Sequence, residues 1–146
     1  MKTIADLHIH SRFSMATSKE GTPENLDFWA RKKGISLIGT GDFTHPVWRE
    51  ELKERLVTEG NGLYRLRDEY VKEESWKFPG EGTHFVVSGE ISSIYKKNGK
   101  TRKVHNVILL PSLEAADAMA QRLEKIGNIH SDGRPILGLD SHDLLE

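Results

Sequence analysis

The chain has 146 residues, with 21 basic and 22 acidic side chains and a formal net charge of -1. This length suits one domain of ordinary size, and so balanced a charge singles out no class of partner. The absence of cysteine excludes disulfides, thiolate zinc sites, iron–sulfur clusters and cysteine nucleophiles, so any metal ion would be bound by His, Asp and Glu. No apolar run can span a bilayer and no signal-like segment opens the chain, so we expect a cytoplasmic protein without a membrane partner.

The amino-terminal part of the chain has the pattern of a βαβ unit. Residues 4–10 alternate between polar and apolar with a period of two, which is typical of a strand. A threonine–proline start and a glycine end predict a helix over residues 22–34. The apolar run at 35–39 then predicts a buried parallel strand, so the fold class is α/β.

The rest of the chain alternates between predicted helices and a β-hairpin. The Asn98-Gly99 pair is the strongest short hairpin signal in the sequence. The stretch 59–82 is charged and difficult to assign. The predicted elements are a helix at 46–58, a helical segment at 68–76, strands at 85–91 and 101–110, a helix at 112–126 and a last helix capped by Asp140.

Two histidines share one face of the first predicted strand. His8 and His10 are two residues apart, which on a strand separates them by about 6.5–7 Å, so both rings can reach one metal ion or two neighbouring ions. Asp6 lies on the same face and offers a further ligand or a partner for one. Such a pair can be incidental, but here the strand runs into a loop, where α/β folds place their sites.

A second candidate ligand follows the next buried strand. Because the carboxyl ends of neighbouring parallel strands lie side by side, Asp42 is expected close to His10. The alternative is a turn or helix-cap carboxylate. His45 is either a further ligand or a solvated residue before Pro46.

The turn at residues 98–99 sets the register of the hairpin. With a two-residue loop, Ser92 faces His105 and Glu90 faces Val107, so Glu90 and His105 lie on one face as diagonal neighbours. A buried Glu beside a His is costly to desolvate without a cation or partner. The alternatives are a plain ion pair at a sheet edge and a bulge that reverses the faces.

Together these side chains form a hard nitrogen and oxygen ligand set. Such a set suits Zn, Mn, Mg or Fe and can hold more than one ion. Metal ions of this kind support phosphoester hydrolysis, because one generates hydroxide from bound water while another screens the phosphate. The candidate metal-binding and catalytic residues are His8, His10, Asp42, Glu90 and His105, with Asp6 and His45 as second-layer or extra ligands.

The ordered motifs resemble those of the PHP (polymerase and histidinol phosphatase) superfamily. They lie at residues 6–11, 39–42, 89–92 and 104–107, and the strings at 39–48, 90–105 and 133–145 are similar to the amino-terminal part of the endonuclease Q group. The resemblance implies a distorted (β/α)7 barrel and cleavage of DNA beside deaminated or abasic nucleotides. It also implies two or three metal ions in the complete domain. His8 and His10 match the first motif, Asp42 the second, Glu90 the bridging carboxylate and His105 the histidine that follows it.

The chain departs from the family pattern at two places. Residues 14–16 carry no acid where many relatives have one. The family's later histidine and final Asp-x-His have no substitute here, since Asp140 and His142 fall too early and fit a capped helix start better. We therefore expect residues 1–146 to be the amino-terminal portion of a PHP domain, truncated before its last metal-binding motif.

The concentrated basic feature is the hairpin tip, with five cations at residues 96–103. Such a tip can contact DNA phosphates, or it can be a solvated turn. Trp48 and Tyr95 are either base-stacking platforms or core residues. The candidate DNA contacts are Lys97, Lys100, Arg102, Lys103 and Arg12.

Two other functions compete with a DNA-repair endonuclease. A small-molecule phosphatase of the histidinol phosphatase type would need a closed pocket instead of an open basic rim. An inactive PHP fragment that binds metal or DNA is the non-enzyme alternative. In every case, exposed strand edges of a partial barrel predict self-association.

Overall fold

A computed structural model describes residues 2–146, which form a mixed α/β fold on an open seven-stranded sheet. The strands are β1 (Ala5–Asp6), β2 (Leu37–Gly39), β3 (Leu56–Gly60), β4 (Leu63–Leu66), β5 (His84–Lys97), β6 (Lys100–Leu110) and β7 (Ile136–Leu137). The helices are α1 (Pro23–Lys33), α2 (Pro46–Arg55), α3 (Leu113–Glu124) and α4 (Ser141–Leu145). Within this part of the chain, no helix is long and apolar enough to cross a bilayer.

The predicted βαβ unit is present at the amino terminus. β1 and β2 are parallel, and α1 crosses between them with Thr22 as its N-cap and Gly34 as its left-handed C-cap. β1 has only two residues, so the strand predicted over 4–10 is too long. β2 ends at Gly39, and the chain beyond Leu7 therefore lacks a neighbouring strand to extend the ladder. Residues 7–10 instead connect the sheet to the site.

β5 is the central strand of the fold. Its first residues lie between parallel β2 and antiparallel β4, and its later residues lie between antiparallel β6 and parallel β7. The predicted hairpin register is confirmed without a bulge, since Ser92 pairs with His105 and Glu90 pairs with Val107. In the described chain β6 pairs with β5 alone. The expected partial barrel is therefore an open sheet here.

The prediction is wrong between residues 56 and 76. The helix that begins at Pro46 ends at Arg55, and a second hairpin of β3 and β4 follows. Its turn at residues 60–62 has positive φ throughout, a conformation that Gly and Asn adopt readily. The segment 68–76 forms two short 3₁₀ turns at Asp68–Tyr70 and Glu73–Lys77. Ser75 is the buried residue of these turns, so no apolar face exists to extend a helix.

The core lies between the sheet and helices α2 and α3. Trp48 is completely buried and donates a 2.9 Å hydrogen bond from Nε1 to the carbonyl oxygen of Gly41. Trp48 is therefore a core residue and not a base-stacking platform. The large fully buried side chains around it are Phe43, Leu52, Phe85, Val87 and Ile91.

Candidate metal centre

Three side chains, those of His8, His10 and Glu90, meet between the segment that follows β1 and strand β5. His8 Nε2 lies 2.6 Å and His10 Nε2 lies 3.0 Å from the same oxygen of Glu90, Oε2. The two imidazole centroids are 5.4 Å apart. Glu90 is buried, whereas His8 is exposed. Two nitrogens and one carboxylate oxygen within reach of a common point suit a divalent metal ion.

The other oxygen of Glu90 faces His105. His105 Nδ1 lies 2.6 Å from Glu90 Oε1, but this buried oxygen has no partner with hydrogen-bond geometry. An unsatisfied buried carboxylate oxygen is costly, and a cation is the partner that compensates it best. Glu90 thus presents one oxygen to His8 and His10 and the other to His105. The residues around Glu90 therefore fit a divalent cation.

Asp42 lies behind His10 and not within the cluster. Its Oδ1 is 3.0 Å from His10 Nδ1, and its Oδ2 accepts hydrogen bonds from the backbone nitrogen and the hydroxyl of Ser11 at 2.7 and 2.6 Å. Both carboxylate oxygens are therefore engaged in a fully buried side chain. The metal-ligand role of Asp42 stays a prediction; in this structure its side chain orients His10 so that Nε2 points to Glu90.

A tight backbone turn brings Asp42 to this position. Gly41 and Asp42 both have positive φ, at 65° and 53°. A Cβ at Gly41 would lie only 2.5 Å from the carbonyl oxygen of Ile9, so a side chain there would push the two segments apart. The conformation is unfavourable for Asp42 itself. Its hydrogen bonds with His10 and Ser11 compensate this cost.

The contacts within the cluster move two pKa values in opposite directions. The hydrogen bond with Asp42 raises the pKa of His10 against the effect of burial, and the charges of Asp42 and Glu90 add to the rise. Burial alone would raise the pKa of Glu90, but the hydrogen bond with His8 and the neighbouring histidines lower it overall. The metal-free cluster thus favours a protonated His10 beside an ionised Glu90. A divalent cation would replace that proton.

Asp6 and His45, the predicted extra or second-layer ligands, both lie outside the cluster. Asp6 is exposed, and its Oδ1 accepts a 3.4 Å hydrogen bond from the backbone nitrogen of His8. His45 is buried and stacks on Phe13 with ring centroids 4.3 Å apart. Burial lowers the pKa of His45, which favours the neutral ring. His45 is therefore a packing residue in this structure.

The Asp140–His142 region forms a capped helix start, as the sequence indicates. Asp140 Oδ1 accepts hydrogen bonds from the backbone nitrogens of His142 and Asp143, both at 2.9 Å. His142 itself is exposed. The role of Asp140 as the N-cap of α4 is therefore enough to explain why Asp140 and His142 occur together.

Strand alternation divides the basic hairpin between two faces. Lys103 is two residues from His105 and therefore shares the face of Glu90, and so does Lys96. Lys97, Lys100 and Arg102 lie on the opposite face, where Lys97 Nζ is 3.6 Å from Asp140 Oδ2.

The fifth candidate DNA contact, Arg12, has a carboxylate partner within the protein. Its guanidinium makes two hydrogen bonds to Glu51, of 3.0 and 2.7 Å, and it also lies 5.0 Å from the ring centroid of Phe13. The face of the hairpin that carries Glu90 and His105 is called the metal face. Of the five predicted DNA contacts, Lys103 lies on this face.

A residue that the sequence does not predict, Arg134, also reaches the site, with Nη1 4.0 Å from Glu90 Oε1. Arg134 precedes β7 in a segment without periodicity, so no local pattern marks it. Gly133 allows the segment to approach the site, because a Cβ there would lie 2.4 Å from the carboxylate of Asp42. The similarity of residues 133–145 to the endonuclease Q group was the one available signal.

The close approach of Gly133 to Asp42 makes Gly133→Ala a test of how tightly the chain packs beside the site. We expect the substitution to destabilise the fold by about 1–3 kcal/mol, since Asp42 is held by His10 and Ser11 and cannot yield. Gly138→Ala is the matched control, because nothing lies within 4 Å of the position that its Cβ would take. Chemical denaturation measures both variants. Equal stability of the two would contradict the packing described here.

The comparisons with known proteins concern the fold of the chain. No protein-family model matches the chain. An uncharacterized protein of Methanocaldococcus jannaschii is 34% identical over 142 residues, which cover 97% of this chain and 14% of that protein. The crystal structure of the lesion-specific endonuclease PfuEndoQ from Pyrococcus furiosus matches with a TM-score of 0.76 and 28% identity, over 97% of this chain and 30% of that one.

A second solved structure is endonuclease Q in complex with a 27-mer duplex substrate that has an abasic lesion at the active site. It matches with a TM-score of 0.71 and 31% identity, over 92% of this chain and 29% of that one. The chain has an endonuclease Q-like fold. It spans less than a third of either endonuclease chain and 14% of the curated relative.

Proposed function

We propose that this chain is the amino-terminal portion of a PHP-type, metal-dependent phosphoesterase that cleaves DNA beside deaminated or abasic nucleotides. The main support is Glu90, which offers one carboxylate oxygen to His8 and His10 and the other to His105. The fold shared with a lesion-specific endonuclease supports DNA as the substrate. In this proposal residues 1–146 form the first part of a distorted (β/α)7 barrel.

The ligand chemistry supports two neighbouring divalent ions, of Zn, Mn, Mg or Fe. His8, His10 and Glu90 would hold one ion, and Glu90 and His105 would contribute to the second. Bound ions would supply a hydroxide at neutral pH and screen the charge of the phosphate. The protein's part is to fix the ligands, which Asp42 does for His10.

The open position of the cluster favours a polymeric substrate. The side chains of His8 and His105 are each 53% exposed, whereas a site for a small phosphomonoester would enclose most of its ligand. A cavity of about 570 Å³ lies beside Ile35 and His84, at the amino-terminal ends of β2 and β5. That cavity is at the wrong end of the strands to serve the cluster. A histidinol phosphatase-type activity is therefore less well supported.

Cleavage of a labelled duplex tests the proposed function. The chain, loaded with Mn²⁺ or Zn²⁺, should nick a duplex that carries one abasic site or uracil and leave an undamaged duplex intact. The metal content of the purified chain is measured in parallel. Fewer than one tightly bound ion per chain would contradict the metal centre. Tight metal binding without cleavage would instead favour an inactive metal- or DNA-binding fragment.

The division of the hairpin cations between two faces gives a matched pair of variants. We expect Lys96→Ala with Lys103→Ala to weaken binding of an abasic duplex and to reduce its log–log salt slope by about 1–2, since both lysines share the face of Glu90. Lys97→Ala with Lys100→Ala removes the same charge from the opposite face and should have a smaller effect. Fluorescence anisotropy at several salt concentrations measures both. Equal effects would contradict a DNA path across the metal face.

The free edge of β6 supports self-association with a second copy of the chain. β6 pairs with β5 alone in the described chain, and Val107 and Leu109, which share the face of His105, are 43% and 48% exposed. Such an edge pairs readily with another strand. Sedimentation velocity should show a dimer that Leu109→Lys dissociates and that Ile126→Lys, away from this edge, does not. A monodisperse monomer would contradict this interface.

A further inference from the structure

Arg134 lies beside the cluster of His8, His10 and Glu90, but it is not one of the proposed metal ligands. Its guanidinium is 4.0 Å from Glu90 Oε1, and its side chain is 40% exposed, whereas that of Glu90 is 2% exposed. The arginine therefore lies between the buried carboxylate and the solvent.

The segment that carries Arg134 is fixed on both sides. Its backbone is tied to the loop after β1, to the turn before α2 and to β5, so this segment, residues 132–135, forms a strap whose backbone is anchored beside the cluster. The bonds are Arg134 N to Asp132 Oδ1 at 2.9 Å, Gly133 N to Phe13 O at 3.0 Å, Thr44 Oγ1 to Gly133 O at 3.4 Å and Ser92 N to Pro135 O at 2.9 Å.

The donors of Arg134 are free, unlike those of other arginines near the site. Arg12 and Arg49 donate to carboxylates at 3.1 Å or less. Within residues 2–146 the guanidinium of Arg134 makes no hydrogen bond, because its nearest carboxylate oxygen is at 4.0 Å. A cation with unused donors, carried on an anchored backbone at the edge of the cluster, has the chemistry to bind an anion.

We propose that Arg134 is a substrate-binding residue that donates hydrogen bonds to a non-bridging oxygen of the phosphate at the metal centre. This inference rests on the proposed function. The guanidinium fork matches the geometry of phosphate oxygens, and negative charge builds up on these oxygens during phosphoester hydrolysis. A residue that only neutralised Glu90 would compete with the metal ions instead. Its removal would strengthen metal binding and leave phosphate binding unchanged.

Titration calorimetry with inorganic phosphate separates these two roles. The metal-loaded wild type, Arg134→Ala, Arg134→Lys and the exposed control Arg122→Ala are compared at equal metal content. We expect the phosphate dissociation constant to rise at least about tenfold in Arg134→Ala and less in Arg134→Lys, which keeps the charge but loses the fork. Arg122→Ala should match the wild type. On an abasic duplex, kcat/KM of Arg134→Ala should fall about 10²-fold.

The outcomes distinguish this inference from the proposed function. Normal metal content with unchanged phosphate affinity in Arg134→Ala would overturn the inference and leave the metal-dependent function standing. The same holds if wild type binds metal but no phosphate. A wild-type chain that binds no metal would overturn the proposed function, and the inference with it.

Discussion

Replacing Glu90 with Gln is expected to abolish tight metal binding. Both His8 and His10 reach one oxygen of Glu90 and His105 reaches the other, so the substitution removes the negative charge that the proposed ions share. The neutral amide keeps the shape of the side chain and can still bond a histidine. Loss of a residue that only supports a ligand costs about 10–100-fold in metal affinity, and loss of the shared ligand should exceed that range.

Chelator competition and metal analysis after dialysis measure this effect. Glu124→Gln is a matched control, because Glu124 contacts His130 in an exposed Glu–His pair away from the cluster. The control should retain the wild-type metal content. Similar metal content in Glu90→Gln and the wild type would contradict a centre built on Glu90. Nicking of an abasic duplex should be lost together with the metal.

The part of the site that the sequence predicted depends on local rules. The two-residue turn at Asn98-Gly99 fixes the pairing of every later position in the hairpin, so the proximity of Glu90 and His105 could be derived by counting. The βαβ rule places the end of β1 beside the neighbouring strands, and this accounts for the approach of His8 and His10 to Glu90 although β1 itself ends at Asp6. These residues meet as expected.

The parts that the sequence did not predict depend on contacts between distant segments. The side-by-side carboxyl ends of parallel strands place Asp42 near His10, but this rule does not show that Ser11 occupies the second oxygen of Asp42. A metal ligand and an orienting residue therefore look the same in the sequence. Arg134 reaches Glu90 only because the strap before β7 crosses the loop after β1. The β3–β4 hairpin was missed because the helical pattern from Pro46 continued through Leu56. Its Asn61-Gly62 turn was the signal that should have ended the helix at Arg55.

The orienting role of Asp42 makes Asp42→Ala the most informative variant for stability. The substitution leaves both donors of Ser11 without an acceptor in a buried site, and it leaves His10 Nδ1 only the hydroxyl of Ser14 at 3.3 Å. Removal of one partner from such a buried network costs about 3–5 kcal/mol. Denaturant unfolding of the metal-free chain measures the loss, with exposed Asp143→Ala as the control, expected within about 0.5 kcal/mol of the wild type.

The pH dependence of this loss follows from His10. Its pKa is raised in the folded state, mainly by the hydrogen bond with Asp42. The protonated pair therefore contributes stability that is complete below the unfolded-state pKa of about 6.5 and is lost as pH rises through the folded-state pKa. The difference between wild type and Asp42→Ala should accordingly be larger on the acid side of this range. A constant difference would mean that the donors of Ser11 account for the whole effect.

Comparison of the Asp42 and Glu90 variants separates an orienting residue from a ligand. If Asp42 acts through His10, metal affinity in Asp42→Ala should fall by about 10–100-fold, less than in Glu90→Gln, while the stability loss should be the larger of the two. A direct ligand would instead lose metal as completely as Glu90→Gln does. Because the metal-free stability and the metal affinity rank the two variants in opposite order, a general unfolding effect cannot reproduce the expected pattern.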